Sequence, residues 1–252
     1  MVGKTCEKSE TPPMKYEWAT ASHVGHVRDG NEDSVAPRDD GTGNSPLLIV
    51  IADGMGGHVA GEVASRLATE AAVAAPADVG IPAPERVTLG NEAVISAVAD
   101  DPALTGMGTT MTLGLFEADG TLRVGHVGDS RLYLLRDDDL RLITRDHTWV
   151  MDMLLAGQIT EDQAATHPRR HLLTRVLGMP DVKVDEEELE VQPGDRIVVC
   201  SDGLTTMLAD DIIRDLARNA ETASEAAWAL VEAANAAGGY DNTTVAVVDV
   251  AS

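Results

Sequence analysis

The hydrophobic positions along the chain form two kinds of segment. Short runs rich in Val, Ile and Leu, bounded by Gly or Asp, predict β-strands, whereas longer Ala-rich runs with capping or stop signals predict α-helices. The predicted strands cover residues 47–52, 111–116, 122–127, 131–135, 196–200 and 243–250. The predicted helices cover residues 62–75, 85–99 (weakened by Gly90), 147–156 and 210–218, with two more opened by capping boxes at Thr160/Gln163 and Thr222/Glu225.

The order of these elements predicts an α+β fold. Strand 122–127 is followed almost directly by strand 131–135, which indicates a hairpin and therefore antiparallel pairing. A doubly wound parallel sheet would need a helix after nearly every strand, and the sequence lacks that alternation. We therefore expect antiparallel sheets covered by helices, in a single domain over residues 19–252 that follows a polar leader, residues 1–18.

The composition is that of an ordinary globular protein with an aliphatic core. Of the 252 residues, 44% are hydrophobic but only 3% are aromatic, so Ala, Val, Leu, Ile and Met must fill the interior. The 42 acidic residues outnumber the 19 Lys and Arg residues, and no basic run occurs. A nucleic-acid partner is therefore not expected, because phosphate-binding surfaces need clustered positive charge.

Two further features bear on location and redox chemistry. No apolar run approaches the length of about 18 residues that a membrane helix needs, and the N-terminus lacks an apolar signal core. A cytoplasmic protein without membrane attachment is therefore expected. Cys6 lies in a polar tail and Cys200 in a predicted strand, so we expect two unreactive thiols rather than a disulfide or a zinc site.

Carboxylates stand at the ends of several predicted strands. Asp53, Asp129 and Asp202 each follow an apolar strand, and Asp241 stands just before another. In antiparallel sheets such positions can lie on one rim, so the four acids could share a small volume. Each one alone could simply close an Asx turn, which Asp does routinely. A further acidic cluster at residues 31–33 (Asn-Glu-Asp) makes convergence the more informative hypothesis.

Convergent carboxylates would have a chemical consequence. Like charges in a small volume raise one another's pKa values unless cations neutralise them. Ligands that are all oxygen favour Mg²⁺ or Mn²⁺ over zinc. Two such ions about 3.5–4 Å apart could activate a water molecule for in-line attack on phosphorus.

Two motifs near these acids are open to different interpretations. Residues 54–61 (GMGGHVAG) open a helix after a strand, but Val59 occupies the third glycine position of a dinucleotide fingerprint. We therefore expect these glycines to let the backbone wrap an ion. Arg28 precedes the acidic cluster, and it could clamp phosphate oxygens or simply pair with Asp29 or Asp33 at the surface.

Eight short segments, taken in order along the chain, form a recognisable pattern. They are 28–33 (RDGNED), 52–65 (ADGMGGHVAGEVAS), 108–110 (GTT), 127–131 (VGDSR), 144–147 (TRDH), 173–178 (LTRVLG), 194–204 (GDRIVVCSDGL) and 241–244 (DNTT). In sequence and in order they resemble the metal-dependent PPM/PP2C family of Ser/Thr protein phosphatases, and most closely its compact bacterial members. Eight matches in family order, between about residues 19 and 250, make chance a poor explanation.

The resemblance implies an α-β-β-α sandwich, with two antiparallel sheets between outer helices, and a centre of two Mn²⁺ or Mg²⁺ ions at one end of the sandwich. By position, Asp53 would bridge both ions, with the Gly54 carbonyl on the second ion and Glu32 acting on that ion through water. Asp202 and Asp241 would hold the first ion.

The resemblance also assigns residues around the two ions. Asp33 would orient the water that the ions activate, and Arg28 would hold the substrate phosphate. Asp129, together with Asp202, would bind a third ion, as bacterial relatives often do. Residues 146–168 match the mobile flap beside that third site, which influences substrate choice in the family.

One position departs from part of the family. Many eukaryotic members carry a His directly after the Asp-Gly pair, and that His is proposed to protonate the leaving alcohol. Here Met55 occupies the position, as is usual in the bacterial branch, and Met cannot donate a proton. Either a water or His58 would then serve as the acid, and we favour water because His58 could simply cap the following helix.

The resemblance therefore implies hydrolysis of phosphoserine and phosphothreonine in proteins without a phosphoenzyme. The expected partners are phosphorylated proteins, including a Ser/Thr protein kinase. One alternative is a phosphatase-like domain that binds phosphoproteins without hydrolysing them. It is disfavoured because degenerate members typically lose a ligand, and every predicted ligand is present. The other alternative is a phosphatase dedicated to an anti-sigma-factor antagonist, a branch that normally carries sensor domains.

Overall fold

The computed structural model describes residues 14–56 and 58–251. The strands are β1 Lys15–His23, β2 Asp33–Ala36, β3 Gly41–Asn44, β4 Leu47–Met55, β5 Gly108–Thr109, β6 Met111–Phe116, β7 Thr121–Val127, β8 Arg131–Arg136, β9 Asp139–Leu142, β10 Asp185–Glu190, β11 Arg196–Cys200 and β12 Thr243–Ala251. The α-helices are α1 His58–Val73, α2 Ala83–Asp100, α3 Trp149–Leu155, α4 Glu161–Ala165, α5 Asp202–Thr205, α6 Asp210–Asn219 and α7 Ala223–Ala236.

The strands form two antiparallel sheets of six strands each. The first sheet has the order β3-β1-β12-β11-β8-β9, and the second has the order β10-β7-β6-β4-β2, with β5 also paired to β4. Helices α1 and α2 pack on the outer face of the second sheet, whereas α6 and α7 pack on the outer face of the first. The predicted α-β-β-α sandwich is therefore confirmed.

The side chains of a central strand point alternately to the core between the sheets and to the helix layer. Both environments are apolar, so the strand sequence is a continuous apolar run. In β11, Ile197 and Val199 belong to the core between the two sheets, whereas Val198 and Cys200 face the helix layer. All four side chains are fully buried, because each sheet is covered on both faces. Burial also raises the pKa of the Cys200 thiol to about 12, which agrees with the expected lack of reactivity. Cys6 lies outside the described residues.

The central strands lie where the sequence predicts them, with one informative difference. The strands predicted at residues 111–116 and 196–200 are confirmed to the residue as β6 and β11. Strand β4, however, continues past its predicted end to Met55. Asp53 and Gly54 therefore lie within a strand and not in the turn that follows it.

The two helices that cover the second sheet, α1 and α2, also differ from their predictions. The helix predicted at residues 62–75 begins earlier, at His58, and ends at Val73. Helix α2 runs unbroken through Gly90, where an interruption was expected. A Cβ on Gly90 would lie 3.0 Å from the carbonyl oxygen of Ala68, so this glycine permits close packing of α2 on α1.

One of the two predicted capping boxes is wrong in part. Both hydrogen bonds of the Thr160/Gln163 box are present at α4. At α7, Thr222 accepts a hydrogen bond from the backbone of Glu225 as predicted, but the Glu225 carboxylate accepts from the N–H of Glu221 instead of Thr222. In the described part of the chain, no helix has the length and apolar character needed to cross a membrane.

The strands that the hydrophobic pattern misses lie mainly at sheet edges. Strand β1 begins at Lys15, inside the range predicted as leader, because Tyr16 is buried in the core between the sheets. Strand β10 (DEEELE) pairs only with β7 and exposes most of its side chains, so its sequence carries almost no apolar signal. Charged edge strands of this kind resist pairing with other molecules.

Candidate metal centre

The acids predicted at strand ends lie on one rim of the sandwich. Asp129 lies in the turn between β7 and β8, Asp202 begins α5 directly after β11, and Asp241 stands just before β12. Because β11 and β12 are antiparallel neighbours, the end of one and the start of the other meet at the same rim. A cleft of about 890 Å³ opens there, and its lining includes Arg28, Glu32, Asp53, Gly54, Asp129, Asp202 and Asp241.

Asp33 lies behind this cleft and lines a separate cavity of about 310 Å³. The pairing of β2 with β4 places Asp33 opposite Asp53. Ser201 Oγ donates a hydrogen bond of 2.8 Å to Asp33 Oδ2. On the neighbouring strand, the Asp53 N–H donates to Thr110 Oγ1 at 2.9 Å, and Thr109 Oγ1 donates to the Asp53 carbonyl at 2.8 Å. Hydroxyl groups thus hold the carboxylate of Asp33 and the backbone of Asp53.

Two glycines of the GMGGHVAG segment allow the backbone to pack around Glu32. A Cβ on Gly54 would overlap the carbonyl group of Gly61, and a Cβ on Gly61 would overlap the Glu32 carboxylate. The Gly54 N–H also donates a hydrogen bond of 3.1 Å to the Glu32 carbonyl. The glycines therefore serve a close approach that any side chain would block. Their contact with an ion stays a prediction.

A third glycine brings two candidate ligands together. Gly203 packs against the carbonyl oxygen of Asn242 so closely that any Cβ would overlap it. Asp202, directly before this glycine, is thereby placed beside Asp241. The requirement for a small residue after the acid is therefore a packing requirement between two loops, in addition to any role in turning the chain.

The carboxylates interact strongly through their charges. Burial raises the pKa of Asp53 well above its usual value, and the charges of Asp33 and Asp202 raise it further. Burial also raises the pKa of Asp129 well above the usual range, raises that of Asp202, and raises that of Asp33 to about 7. A site of this kind accumulates negative charge that divalent cations would neutralise.

Arg28 contacts the metal-ligand candidates directly. Its Nη2 donates to Asp241 Oδ2 at 2.7 Å, and the alternative pairing with Asp33 is absent among the described contacts. This hydrogen bond is the main reason why the pKa of Arg28 is raised, so the guanidinium stays charged. Its side chain remains 45% exposed at the cleft, where an anionic ligand can reach it.

The donor atoms fit divalent cations, although they do not form a complete coordination site. Carboxylates and a carbonyl are the ligands that Mg²⁺ and Mn²⁺ prefer. Asp33 Oδ1 is buried without a hydrogen-bond partner, so it offers an acceptor for a water molecule. Within residues 14–56 and 58–251, no three Asp, Glu, His or Cys side chains converge tightly enough to hold an ion alone. Asp241 is engaged otherwise, by Arg28 at Oδ2 and by the Asn242 N–H at Oδ1.

Comparison with known proteins identifies the family to which this cleft belongs. The family model described as Protein phosphatase 2C matches residues 24–236. The chain belongs to the protein phosphatase 2C family. Among its relatives, the serine/threonine protein phosphatase PstP of Mycobacterium tuberculosis is 41% identical over 244 residues, which cover 94% of this chain and 45% of PstP. The chain therefore spans less than half of the length of that relative.

One further relative, and the catalytic domain of PstP taken by itself, match over nearly their whole length. The serine/threonine phosphatase stp of Listeria welshimeri is 34% identical over 235 residues, covering 89% of this chain and 92% of the relative. The crystal structure of the catalytic domain of PstP in complex with 2 manganese ions has a TM-score of 0.84 at 40% identity, and it covers 95% of this chain and 100% of that domain. The fold and the family are thus shared with proteins of known structure.

The protein phosphatase 2C cleft depends on one residue whose role the sequence did not reveal. Asn242 is buried, and its Oδ1 accepts a hydrogen bond of 2.8 Å from the Glu32 N–H. Its Nδ2 donates at 2.9 Å to the carbonyl oxygens of Val24 and Gly30. Asn242 thereby fixes both ends of the loop that carries Arg28. The DNTT motif contains this residue, so the motif was visible while the function of its Asn was not.

Replacement of Asn242 by alanine should weaken phosphate binding. The loop of Arg28 would lose one buried and two partly buried hydrogen bonds, so we expect the inhibition constant for inorganic phosphate to rise at least about 10-fold and the unfolding free energy to fall by about 2–3 kcal/mol. Steady-state inhibition and urea denaturation measure the two effects. Asn91→Ala is the matched control, because buried Asn91 similarly holds residues 178–179, outside the cleft lining. An equal rise in both variants would contradict the assignment.

The remaining predicted features lie partly in the described structure. Residues 146–168 include α3 and α4, which form a helical hairpin beside Asp129 and Asp202. That this hairpin acts as a flap stays a prediction. Helix α1 begins at His58, but the side chain of His58 lies outside the described residues, so its part in proton transfer also stays a prediction.

Proposed function

We propose that this chain hydrolyses phosphoserine and phosphothreonine in proteins with the help of divalent cations. The observation that carries the proposal is the single cleft in which Arg28 stands among the carboxylates of Glu32, Asp53, Asp202 and Asp241. Family membership and the phosphatase relatives support the same reaction. The substrates would be phosphorylated proteins, including a Ser/Thr protein kinase.

In this proposal the cleft residues divide into ligands and supports. Asp53 would lie between two cations, with the Gly54 carbonyl and Glu32 toward the second. Asp202 and Asp241 would complete the first. Asp129, buried at the same rim, would join Asp202 at a third and weaker position. Mn²⁺ or Mg²⁺ fits these donors. The PstP structure, which contains 2 manganese ions, supports the first two of these three positions.

The chemistry follows from what each side chain can do. The bound cations would supply Lewis acidity and an activated water for in-line attack on phosphorus. Arg28 would orient the phosphoryl oxygens through its paired N–H groups, as a guanidinium does best. Asp33, behind the cleft, would accept a hydrogen bond from the attacking water and fix its direction. Cys200 is buried with its pKa raised to about 12, so it is not available as a nucleophile, in keeping with a reaction without a phosphoenzyme.

The purified chain should hydrolyse p-nitrophenyl phosphate and a phosphothreonine peptide in the presence of Mn²⁺. We expect EDTA to abolish both activities and excess Mn²⁺ or Mg²⁺ to restore them, because the carboxylate cluster cannot activate water unaided. Release of inorganic phosphate is the measurement. Binding of the phosphopeptide without turnover would instead identify a phosphoprotein-binding module, and activity that survives EDTA would contradict the metal mechanism.

The acid that protonates the leaving alcohol can be identified with two substrates. We propose that water serves, because Met55 lines the cleft at the position where other family members have His. His58→Ala should then lower kcat for the phosphothreonine peptide and for an aryl phosphate by the same small factor. A selective loss on the peptide, whose alkoxide is the poorer leaving group, would assign the proton transfer to His58 instead.

A further inference from the structure

A second cavity of about 360 Å³ opens from the cleft underneath α3 and α4. Five residues line both spaces, so the cavity and the cleft are continuous. These shared residues are Asp129, Arg170, His171, Asp202 and Thr206.

The inner end of this cavity is apolar. Helix α3 contributes Val150, Met151 and Leu154, and helix α4 contributes Ala164 and Ala165. Of these five, only Val150 is buried, so the apolar side chains of the hairpin face a space that the chain itself does not fill. Unfilled apolar surface beside a cleft is typical of a ligand site, because its burial by a ligand is favourable.

The charged groups that line the cavity do not favour a charged ligand at its apolar inner end. Arg131 donates from Nε and Nη2 to the two carboxylate oxygens of Asp146, at 2.9 and 2.7 Å. Its Nη1 donates to the hydroxyl of Tyr133 at 3.0 Å. The guanidinium is therefore neutralised by a bidentate partner, and an anionic side chain would gain little from it. Asp129, Asp202 and the cationic Arg170 line both the cavity and the cleft, so these charges lie at the mouth and leave the apolar end open.

The base of the hairpin is tied to the rest of the domain. The Trp149 N–H donates to the Leu172 carbonyl at 2.8 Å, which joins the two ends of the hairpin. His147 holds the turn before Asp129, since its N–H donates to the Gly128 carbonyl at 2.7 Å and its Nδ1 accepts from the Gly128 N–H at 3.0 Å. The mouth of the cavity is thus fixed relative to the candidate metal ligands, as a preformed site requires.

We propose that this cavity, here called the flap pocket, binds one apolar side chain of the phosphoprotein, close in sequence to the phosphorylated residue. The inference rests on the proposed phosphatase function and names a determinant of its substrate choice. In an extended peptide, residues two apart project on the same side about 6.6 Å from each other, so a near neighbour of the phosphorylated residue spans from cleft to pocket. Leucine, methionine and phenylalanine side chains match the size and character of the pocket.

A position-scanned peptide set tests the inference. The reference is a phosphothreonine peptide with alanine at the three positions on each side, and each test peptide carries leucine at one of them. Burial of the extra carbon atoms predicts that leucine at one position raises kcat/KM about 10-fold, mainly through KM. Peptides that all react alike would overturn the flap pocket while leaving the phosphatase function intact. Failure to hydrolyse any peptide would overturn the phosphatase function itself.

Two matched pairs of variants then locate the preference. Leu154→Ala removes apolar surface from the pocket and Ala164→Leu fills it, so each should reduce the leucine-to-alanine ratio to about 2 or less. Leu155→Ala and Ala156→Leu change exposed neighbours on the same hairpin and should keep the ratio of the unchanged protein. Because each ratio compares two peptides on one variant, general damage cancels. An unchanged ratio in the pocket variants, or an equal loss in the controls, would overturn the assignment.

Discussion

Alanine in place of Asp53 should lower kcat by at least about 1000-fold, a change of about 4 kcal/mol in the activation free energy. Asp53 stands at the centre of the carboxylate group, where the charges of Asp33, Asp202, Asp129 and Asp241 all reach it. If Asp53 is shared by two cations, as proposed, its loss should weaken binding of both cations together. Phosphate release from the peptide at saturating Mn²⁺, together with Mn²⁺ titration by calorimetry, measures activity and affinity separately.

Two control variants show whether this loss is specific. Asp249→Ala removes an acid of β12 that pairs with Arg196 away from the cleft, and it should keep kcat within about 2-fold. Asp129→Ala should reduce activity less than Asp53→Ala and weaken only a low-affinity ion. Wild-type turnover in Asp53→Ala would refute the bridging position.

A different substitution of the same residue, Asp53→Asn, should stabilise the folded protein in EDTA. The raised pKa of Asp53 means that its ionised form is disfavoured in the folded state, so Asp53→Asn should raise the melting temperature by about 2–4 °C for each kcal/mol of repulsion removed. Such a group destabilises the fold above its folded pKa and ceases to do so below its unfolded value. For Asp33, stability in EDTA should therefore rise as pH falls from about 7 toward about 4.

Replacement of Arg28 by alanine should raise the inhibition constant of inorganic phosphate about 30-fold or more and lower kcat/KM for the peptide by about 100-fold. In its proposed role the guanidinium would supply charge-assisted hydrogen bonds to the phosphoryl oxygens, and each such contact is worth about 1.5–3 kcal/mol. Arg28→Lys should recover only part of the loss, because an ammonium cannot form the paired contact. Product inhibition and initial rates measure the two constants.

Metal affinity distinguishes loss of the phosphate clamp from general damage. Since Arg28 occupies Asp241 Oδ2 at 2.7 Å, its removal frees this oxygen, and Mn²⁺ affinity should stay the same or increase. Arg66→Ala is a suitable control, because Arg66 pairs with Glu70 on the surface of α1 and should leave all constants unchanged. A fall in Mn²⁺ affinity equal to the loss of phosphate affinity would contradict the separate role of Arg28.

Strands whose side chains are completely buried could be predicted from the sequence, whereas partly exposed strands could not. Strands β6 and β11 lie between covered faces, so their apolar runs mark them to the residue. Strand β10 is acidic along its length and is defined only by its pairing with β7. Gly90 shows the same limit for helices, because its benefit lies in contact with Ala68 on α1, which no local propensity contains.

The candidate site likewise has residues that could be predicted from the sequence and residues that could not. The acids themselves were visible from their places at strand ends, because chemistry restricts which residue types can fill them. The parts that position them were not visible, since Asn242 and Gly203 act through backbone groups far away in sequence. The Arg28–Asp241 pair was missed for the same reason, because it joins residues more than two hundred positions apart.

The contact between Arg28 and Asp241 would couple the binding of cations to the binding of phosphate. While the two side chains are paired, the guanidinium neutralises part of the charge of Asp241, and its Nη2 is engaged and not available to an anion. If Asp241 binds a cation as proposed, that cation would release Arg28, so metal binding would increase the affinity for phosphate, and by thermodynamic linkage the reverse would also hold. The metal-depleted protein would therefore bind phosphoproteins less tightly than the metal-loaded protein does, without any movement of a domain.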